Sequence, residues 1–299
     1  MRLYDILEVV EKQRSQYQLL LREILDHGEK VSTPQGVDAL SIIGPKPMHF
    51  KLAEGFPAIT ERKLSEKIWQ QAIAEIIAFI NGARTIDELE SYGCFWWKAW
   101  GSEAKAKKRG LETGDLGPGS YGAAFHDFPT AEGENYNQFA NILQQMREQP
   151  HLRTHFISPW IPQYTMRVKG RRQKVVVCPC HGWIHLRIID QKLTLHMFQR
   201  SADVPIGVPS NMVQYAALTM MIAQVLGLEA YEFVHSFSDA HIYVDQIEAV
   251  KTMLEREVKA LPQMKLNPQI KDLFAFRKED FTLENYQAHS GIWNIPVAV

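Results

Sequence analysis

Three cysteines in 299 residues, Cys94, Cys178 and Cys180, are too few for a disulfide framework. That excludes the small cross-linked secreted classes, and the chain reads as cytoplasmic with reduced thiols. Excess charge of either sign is also lacking. The formal net charge is -1, so no global basic field marks a nucleic-acid polymer as partner. The first residues, MRLYDILEVVEKQ, lack the apolar stretch of a signal peptide, and no window approaches a membrane-spanning run. Cys178, Cys180 and His181 lie close together, but no second ligand pair at zinc spacing accompanies them, so no metal is expected. Internal repeats, low-complexity segments and a clear linker are absent as well.

What is present is an apolar fraction of 45% with 22% charged residues, enough for a sizeable core in one soluble domain. Apolar positions at Leu3, Ile6, Leu7, Val10, Tyr17, Leu20, Leu21 and Ile24 predict a helix over 3–27, stopped by His27-Gly28. A polar loop follows over 29–38, then strands at 39–43 and 49–52. A strongly apolar helix is expected from about Leu64 to Ile80, with Glu75 inside it, and an amphipathic helix over 135–148. The basic run 167–174 reads as an exposed loop. Strands are expected at 175–177, 183–189 and 193–199, the last two joined by a hairpin turn at Asp190-Gln191-Lys192. An apolar helix over 212–226, a strand over 231–238, a helix to about Leu261, and strand fragments with an extended tail complete the chain. The simplest account is a single α+β domain over 1–299, a mixed sheet covered by helices.

The chemistry concentrates between Cys178 and Tyr215. Cys180 stands in Pro-Cys-His, Arg200-Ser201-Ala202-Asp203 closes a strand-like run, and Gly207, Pro209 and Asn211 open a helix. A thiol near an arginine and a helix N-terminus has a lowered pKa, one route to a nucleophile at neutral pH. A lone cysteine beside a proline is more often an ordinary buried small residue, and a helix glutamate such as Glu75 more often faces solvent.

Pro-Cys-His, Gln-Arg-Ser-Ala-Asp-Val, Gly-Val-Pro-Ser-Asn, Asp-Ala-His-Ile-Tyr and the terminal Pro-Val-Ala-Val, in that order, resemble the thymidylate synthase family along nearly the whole chain. The resemblance implies a catalytic set of Cys180 as nucleophile, Glu75 and Tyr121 for proton and water handling, Arg200, Asp203, and Asn211 as base reader. An amide at 211 accepts from uracil N3–H and donates to O4, whereas a carboxylate there serves cytosine in the family. The implied nucleotide set is Arg200 and Ser201 on phosphate, His241 and Tyr243 on the sugar 3'-hydroxyl, with His181 and Gln214. Arg153 would reach the partner's phosphate across a homodimer. The co-substrate 5,10-methylenetetrahydrofolate would be held by Trp97, Trp100, Asp203, Ile206, Gly207 and Val299. No nucleic acid, membrane or metal partner is expected.

The chain departs from the family in its ligand shell. Ungapped alignment from Leu25-Asp26 to Leu40-Ser41 puts Pro34 where a phosphate arginine belongs, with Lys30 the only nearby cation. Thr154 replaces a second arginine, Ser210 a large aromatic, and Gln214 a serine. These departures suit an altered substrate or outcome, but with Asn211 and Trp97 retained, reductive methylation of dUMP to dTMP is the leading expectation. Hydroxymethylation of dUMP, dCMP or CMP, with water in place of hydride, is the alternative. A non-catalytic nucleotide- or RNA-binding relative is the reading from another class.

Overall fold

The computed structural model describes residues 14–298. Helix α1, Gln16–His27, starts at a capping box: the Ser15 hydroxyl accepts from Gln18 N (3.0 Å), and Gln18 Oε1 accepts from Ser15 N (3.4 Å). Such a box marks a helix start. Among the described residues the helix expected over 3–27 begins at Gln16; Leu3, Ile6, Leu7 and Val10 lie outside the described residues. The expected polar loop carries a short strand, β1 (Glu29–Val31), and strands β2 (Ala39–Ile43) and β3 (Met48–Lys51) follow close to expectation.

Helix α2 (Glu66–Ile80) is buried from Ala72 to Ile80, so it is an internal helix rather than a surface one. Short helices α3 (Ile86–Ser91), α4 (Glu103–Lys107) and α5 (Tyr121–His126) precede a two-stranded ribbon, β4 (Phe128–Pro129) with β5 (Asn135–Tyr136). The amphipathic helix α6, Gln138–Glu148, starts three residues later than expected because Asn137 caps it, accepting from Ala140 N at 2.9 Å.

Strands β6 (Phe156–Ile157), β7 (Trp183–Ile189) and β8 (Lys192–Asp203) lead into α7, Gly207–Leu226, and then β9, Glu229–Tyr243. Asp190 and Gln191 both have positive φ, 50° and 59°, the geometry a two-residue hairpin loop requires between β7 and β8. Among the described residues, β3 and the series β1-β2-β9-β8-β7-β6 form one seven-stranded sheet. The β8–β9 pair is parallel and every other pair antiparallel, so the sheet is mixed, and α7 makes the crossover that a parallel pair needs. Helix α7 begins at Gly207, so Pro209 and Asn211 lie in its first turns rather than before it. Strand β9 runs through Asp239-Ala240-His241-Ile242-Tyr243, which the sequence placed after the strand, and the next helix, α8 (Ile247–Leu254), stops well short of Leu261. Strands β10 (Gln263–Leu266) and β11 (Phe281–Glu284) form a separate antiparallel pair.

On β8, Leu193, Leu195, Met197 and Gln199 point into the core, while His196 and Phe198 face outward. This period-2 alternation makes one face of the sheet the floor of the core, against which α7 packs, with α2 packed on α7. On β8, Gln199 is the polar residue among these inward positions, and it belongs to the site. No helix among the described residues is long and apolar enough to cross a membrane.

Candidate active site

Cys180 sits in an irregular loop, not at the end of a strand. The strand expected over 175–177 does not form. Instead Val176 N donates to Leu116 O (2.9 Å), so the segment is tied to another loop and never enters the sheet. The loop is fixed at the cysteine itself: Cys180 N donates to Tyr121 Oη (2.6 Å), and Arg200 N donates to Cys180 O (2.8 Å). The Arg200 guanidinium closes around it, with Nε on Pro179 O (2.7 Å), Nη2 on Cys178 O (3.0 Å), and Nη2 3.4 Å from Cys180 Sγ. Trp160 lies under that guanidinium, its ring centroid 5.5 Å from Cζ.

The expected lowering of the thiol pKa is corrected. Burial pushes the Cys180 thiol up, and the Arg200 charge followed by the Tyr121 hydrogen bond offsets this only in part. Desolvation outweighs one partly committed guanidinium.

Tyr121 opens α5 and stacks between Phe79 (4.7 Å) and His181 (4.5 Å). Its neighbour Gly122 is required by space: a Cβ there would stand 2.0 Å from the Ala83 carbonyl oxygen. His181 Nδ1 lies 2.6 Å from Tyr215 Oη, and burial pushes its pKa down to about 3, so the ring is neutral.

Behind this loop runs a chain of amides that ends on a carboxylate. His235 Nε2 is 2.8 Å from Gln199 Oε1. Gln199 Nε2 donates to Asn211 Oδ1 (3.1 Å) and to Ser201 O (3.1 Å). Asn211 Nδ2 donates to Gln214 Oε1 (2.9 Å), and Gln214 Nε2 donates to Glu75 Oε2. Glu75 Oε1 takes the indole N–H of Trp96 (2.6 Å) and that of Trp97. Glu75 is buried, unlike the solvent-facing majority of helix glutamates, and burial pushes its pKa up while Trp97, Trp96 and Gln214 pull it back. Sequence reasoning missed Trp96, Gln199 and His235. Gln199 could have been found: it is a polar residue on the apolar phase of an alternating strand.

A cavity of about 480 Å³ opens beside this chain. Glu75 and Asn211 reach it from α2 and α7, and Trp96, Trp97 and Trp100 make one wall. Ile206, Gly207 and Ser210 line it at the start of α7, and the tail contributes Ile292, Trp293, Ile295 and Val297. Its largely apolar walls, with Arg62, Glu75, Ser210 and Asn211 as the polar groups, suit a flat heteroaromatic ligand. Of these tail positions, Ile292, Trp293 and Ile295 were not singled out in the sequence, Val297 entered only within the terminal Pro-Val-Ala-Val, and Val299 lies outside the described residues. Asp203 stands behind Ile206, accepting from Ile206 N (3.3 Å) and from Gln246 Nε2 (3.2 Å), which also donates to Pro296 O (2.9 Å). Burial raises the Asp203 pKa to about 6.

His241 and Tyr243 share one side of β9, ring centroids 5.2 Å apart, and His241 Nδ1 lies 3.2 Å from Asp239 Oδ1. Ser201 pairs with Asp239 in the parallel register, close to Arg200 along β8. Gln214 is fully buried and touches Asn211 and Glu75. Two cations stay outside this grouping: Arg153 is exposed at the chain surface, and Lys30 pairs with Asp38 at 3.0 Å. Among the described residues no cluster of three or more His, Cys, Asp or Glu could hold a metal ion.

A family model described as Thymidylate synthase matches residues 15–299, nearly the whole chain, and the chain therefore belongs to the thymidylate synthase family. Membership makes it an enzyme of that type, acting on C5 of a pyrimidine with a folate co-substrate.

Proposed function

We propose that this member of the thymidylate synthase family methylates a uracil nucleotide, dUMP, at C5 to give dTMP, with Cys180 as nucleophile. The observation that carries the reading is the placement of Cys180 Sγ 3.4 Å from Arg200 Nη2, with Tyr121 Oη on the Cys180 backbone at 2.6 Å. Uracil C5 is a poor nucleophile in the resting ring. A thiolate added at C6 makes C5 enolate-like, so it can attack a one-carbon electrophile. Nucleotide phosphate brought to Arg200 engages the guanidinium's remaining N–H groups. Ser201 adds a hydroxyl there, and His241 with Tyr243 serves the sugar hydroxyl. Asn211 meets the base edge. Glu75, held by Trp96 and Trp97, and Tyr121, stacked on neutral His181, would manage the proton at O4 and the one removed from C5. Methylenetetrahydrofolate supplies the carbon and, in methylation, the hydride; Trp97, Trp100, Ile206, Gly207 and the tail give its ring apolar walls, with Asp203 and Val299 completing the set.

A homodimer accompanies this reading. The outer face of β7 and β8 carries Trp183 paired with Phe198, and His185 paired with His196, with exposed Phe156 beside them. Such an aromatic sheet face is a surface that a second copy would cover. Arg153 adjoins it, since its carbonyl lies 3.0 Å from His185 Nε2, a position that suits a reach into the partner.

A second reading is favoured by Ser210. Its position on the cavity wall puts a hydroxyl where water can be held beside the folate, which suits capture by water and a hydroxymethyl product. One assay separates the two. The protein is incubated with methylenetetrahydrofolate and, separately, dUMP, dCMP, UMP and CMP, and both pyrimidine mass and dihydrofolate absorbance are read. A methyl product with dihydrofolate supports the synthase. A hydroxymethyl product without dihydrofolate replaces it with the hydroxymethylase, and no product from any nucleotide sinks both.

A further inference from the structure

We propose that Gln214 is a positioning residue for base selection, which fixes the polarity of the Asn211 amide and disfavours a carboxylate at that position. The inference rests on the reading that Asn211 meets the edge of the pyrimidine.

The two ends of a carboxamide have nearly the same size and shape, and only their partners decide which faces where. Asn211 is held from two sides. On one side Gln199 has spent both N–H groups, one on Asn211 Oδ1 and one on the Ser201 carbonyl, which can only accept. On the other side Gln214 stands between Asn211 and Glu75. Glu75 Oε1 already takes two indole N–H groups, which favour the carboxylate form; a carboxylate accepts only, so Gln214 turns Nε2 to Glu75 and offers Oε1 to Asn211. The far end of the chain agrees. His235 Nδ1 is buried without a partner among the described residues, and an unmet ring lone pair is better tolerated there than an unmet N–H. The proton therefore sits on Nε2, donating to Gln199. Every hydrogen bond from His235 to Glu75 points the same way.

With that polarity fixed, Asn211 keeps one N–H and one oxygen lone pair for the cavity it lines. Uracil offers N3–H and O4; cytosine offers N3 and an amino group, the same two places with donor and acceptor exchanged. Only one of the two matches a clamped amide. A carboxylate at 211 would set oxygen against Gln214 Oε1, acceptor facing acceptor. Gln214 itself is fully buried, so it acts through Asn211 rather than on the ligand.

The test is a double-mutant cycle read by calorimetric Kd for dUMP and for dCMP, with wild type, N211D, Q214L, N211D/Q214L and Q214E. Wild type that binds neither nucleotide would sink the functional reading, and a wild-type preference for dCMP would sink the uracil assignment; both are separate from the cycle. N211D alone is expected to move the dUMP-to-dCMP ratio less than about tenfold. The double variant is expected to move it at least about tenfold further towards dCMP, the scale of one net hydrogen bond. Equal shifts with and without Q214L overturn the proposal. Q214E supplies the arm for a Q214L that does not fold. Its new carboxyl shares one proton with Glu75 and still presents an oxygen to Asn211, so the wild-type ratio is expected to survive. A ratio lost in Q214E overturns the proposal too.

Discussion

Arg200 Nη2 lies 3.4 Å from Cys180 Sγ, while the same guanidinium donates to the carbonyls of Cys178 and Pro179 at 3.0 and 2.7 Å. One cation thus shapes the cysteine loop and offsets the burial that pushes the thiol up. Removing it should do two things at once. In a C178S background, R200A is expected to slow alkylation of Cys180 by iodoacetamide roughly tenfold at neutral pH, and to move the rate profile to higher pH. An unchanged profile would mean that Arg200 holds the loop without tuning the thiol.

Asp203 gives a pH dependence whose sign can be worked out. Its pKa is raised by burial from 3.8 to about 6, so the folded state holds the proton more tightly than the unfolded one. The stability this contributes is full below the unfolded value and is lost as pH rises through about 6. Relative to D203N, which does not titrate there, wild type should lose about 2–3 kcal/mol between pH 3.5 and 7.5. Urea unfolding of both proteins across that range measures it, and a constant difference would contradict the assignment.

Trp293 is 67% exposed yet lines the cavity from the tail. W293A should weaken folate binding by roughly five- to thirtyfold, about 1–2 kcal/mol of lost aromatic contact, and leave the nucleotide Kd alone. Equal losses for both ligands would point to a disturbed fold instead.

Gly122 is the stability counterpart. G122A places a methyl against the Ala83 carbonyl, 2.0 Å from its oxygen, beside Tyr121. A cost of about 2–4 kcal/mol in chemical denaturation is expected, since backbone on both sides must move. A loss under about 0.5 kcal/mol, the range of an ordinary surface change, would mean that the segment yields freely.

How much of this was legible in the residues varied with the kind of signal. The hairpin at Asp190-Gln191, the alternation along β8 and the apolar run of α2 are local patterns, and local structure followed them. Val175 to Val177 carried the same apolar signal, but Val176 N is taken by Leu116 O of another loop and the segment stayed irregular. The candidate site residues stand in several ordered motifs, and the structure brings Cys180, Tyr121 and Arg200 together. The donor–acceptor chain from His235 through Gln199 to Glu75 was not legible, because it joins side chains of β9, β8 and α7 through tertiary packing and ends on α2, 139 residues before Gln214. The thiol's pKa was misjudged for a related reason: the arginine's charge is visible in the sequence, whereas the desolvation that outweighs it belongs to the packed loop.

The most direct test of the account is whether Cys180 forms the covalent bond. The protein is mixed with 5-fluoro-dUMP and methylenetetrahydrofolate, denatured, digested and read by mass spectrometry. The account predicts a denaturation-resistant adduct on the peptide carrying Cys180, absent from C180A. No adduct, or one that persists in C180A, would contradict it.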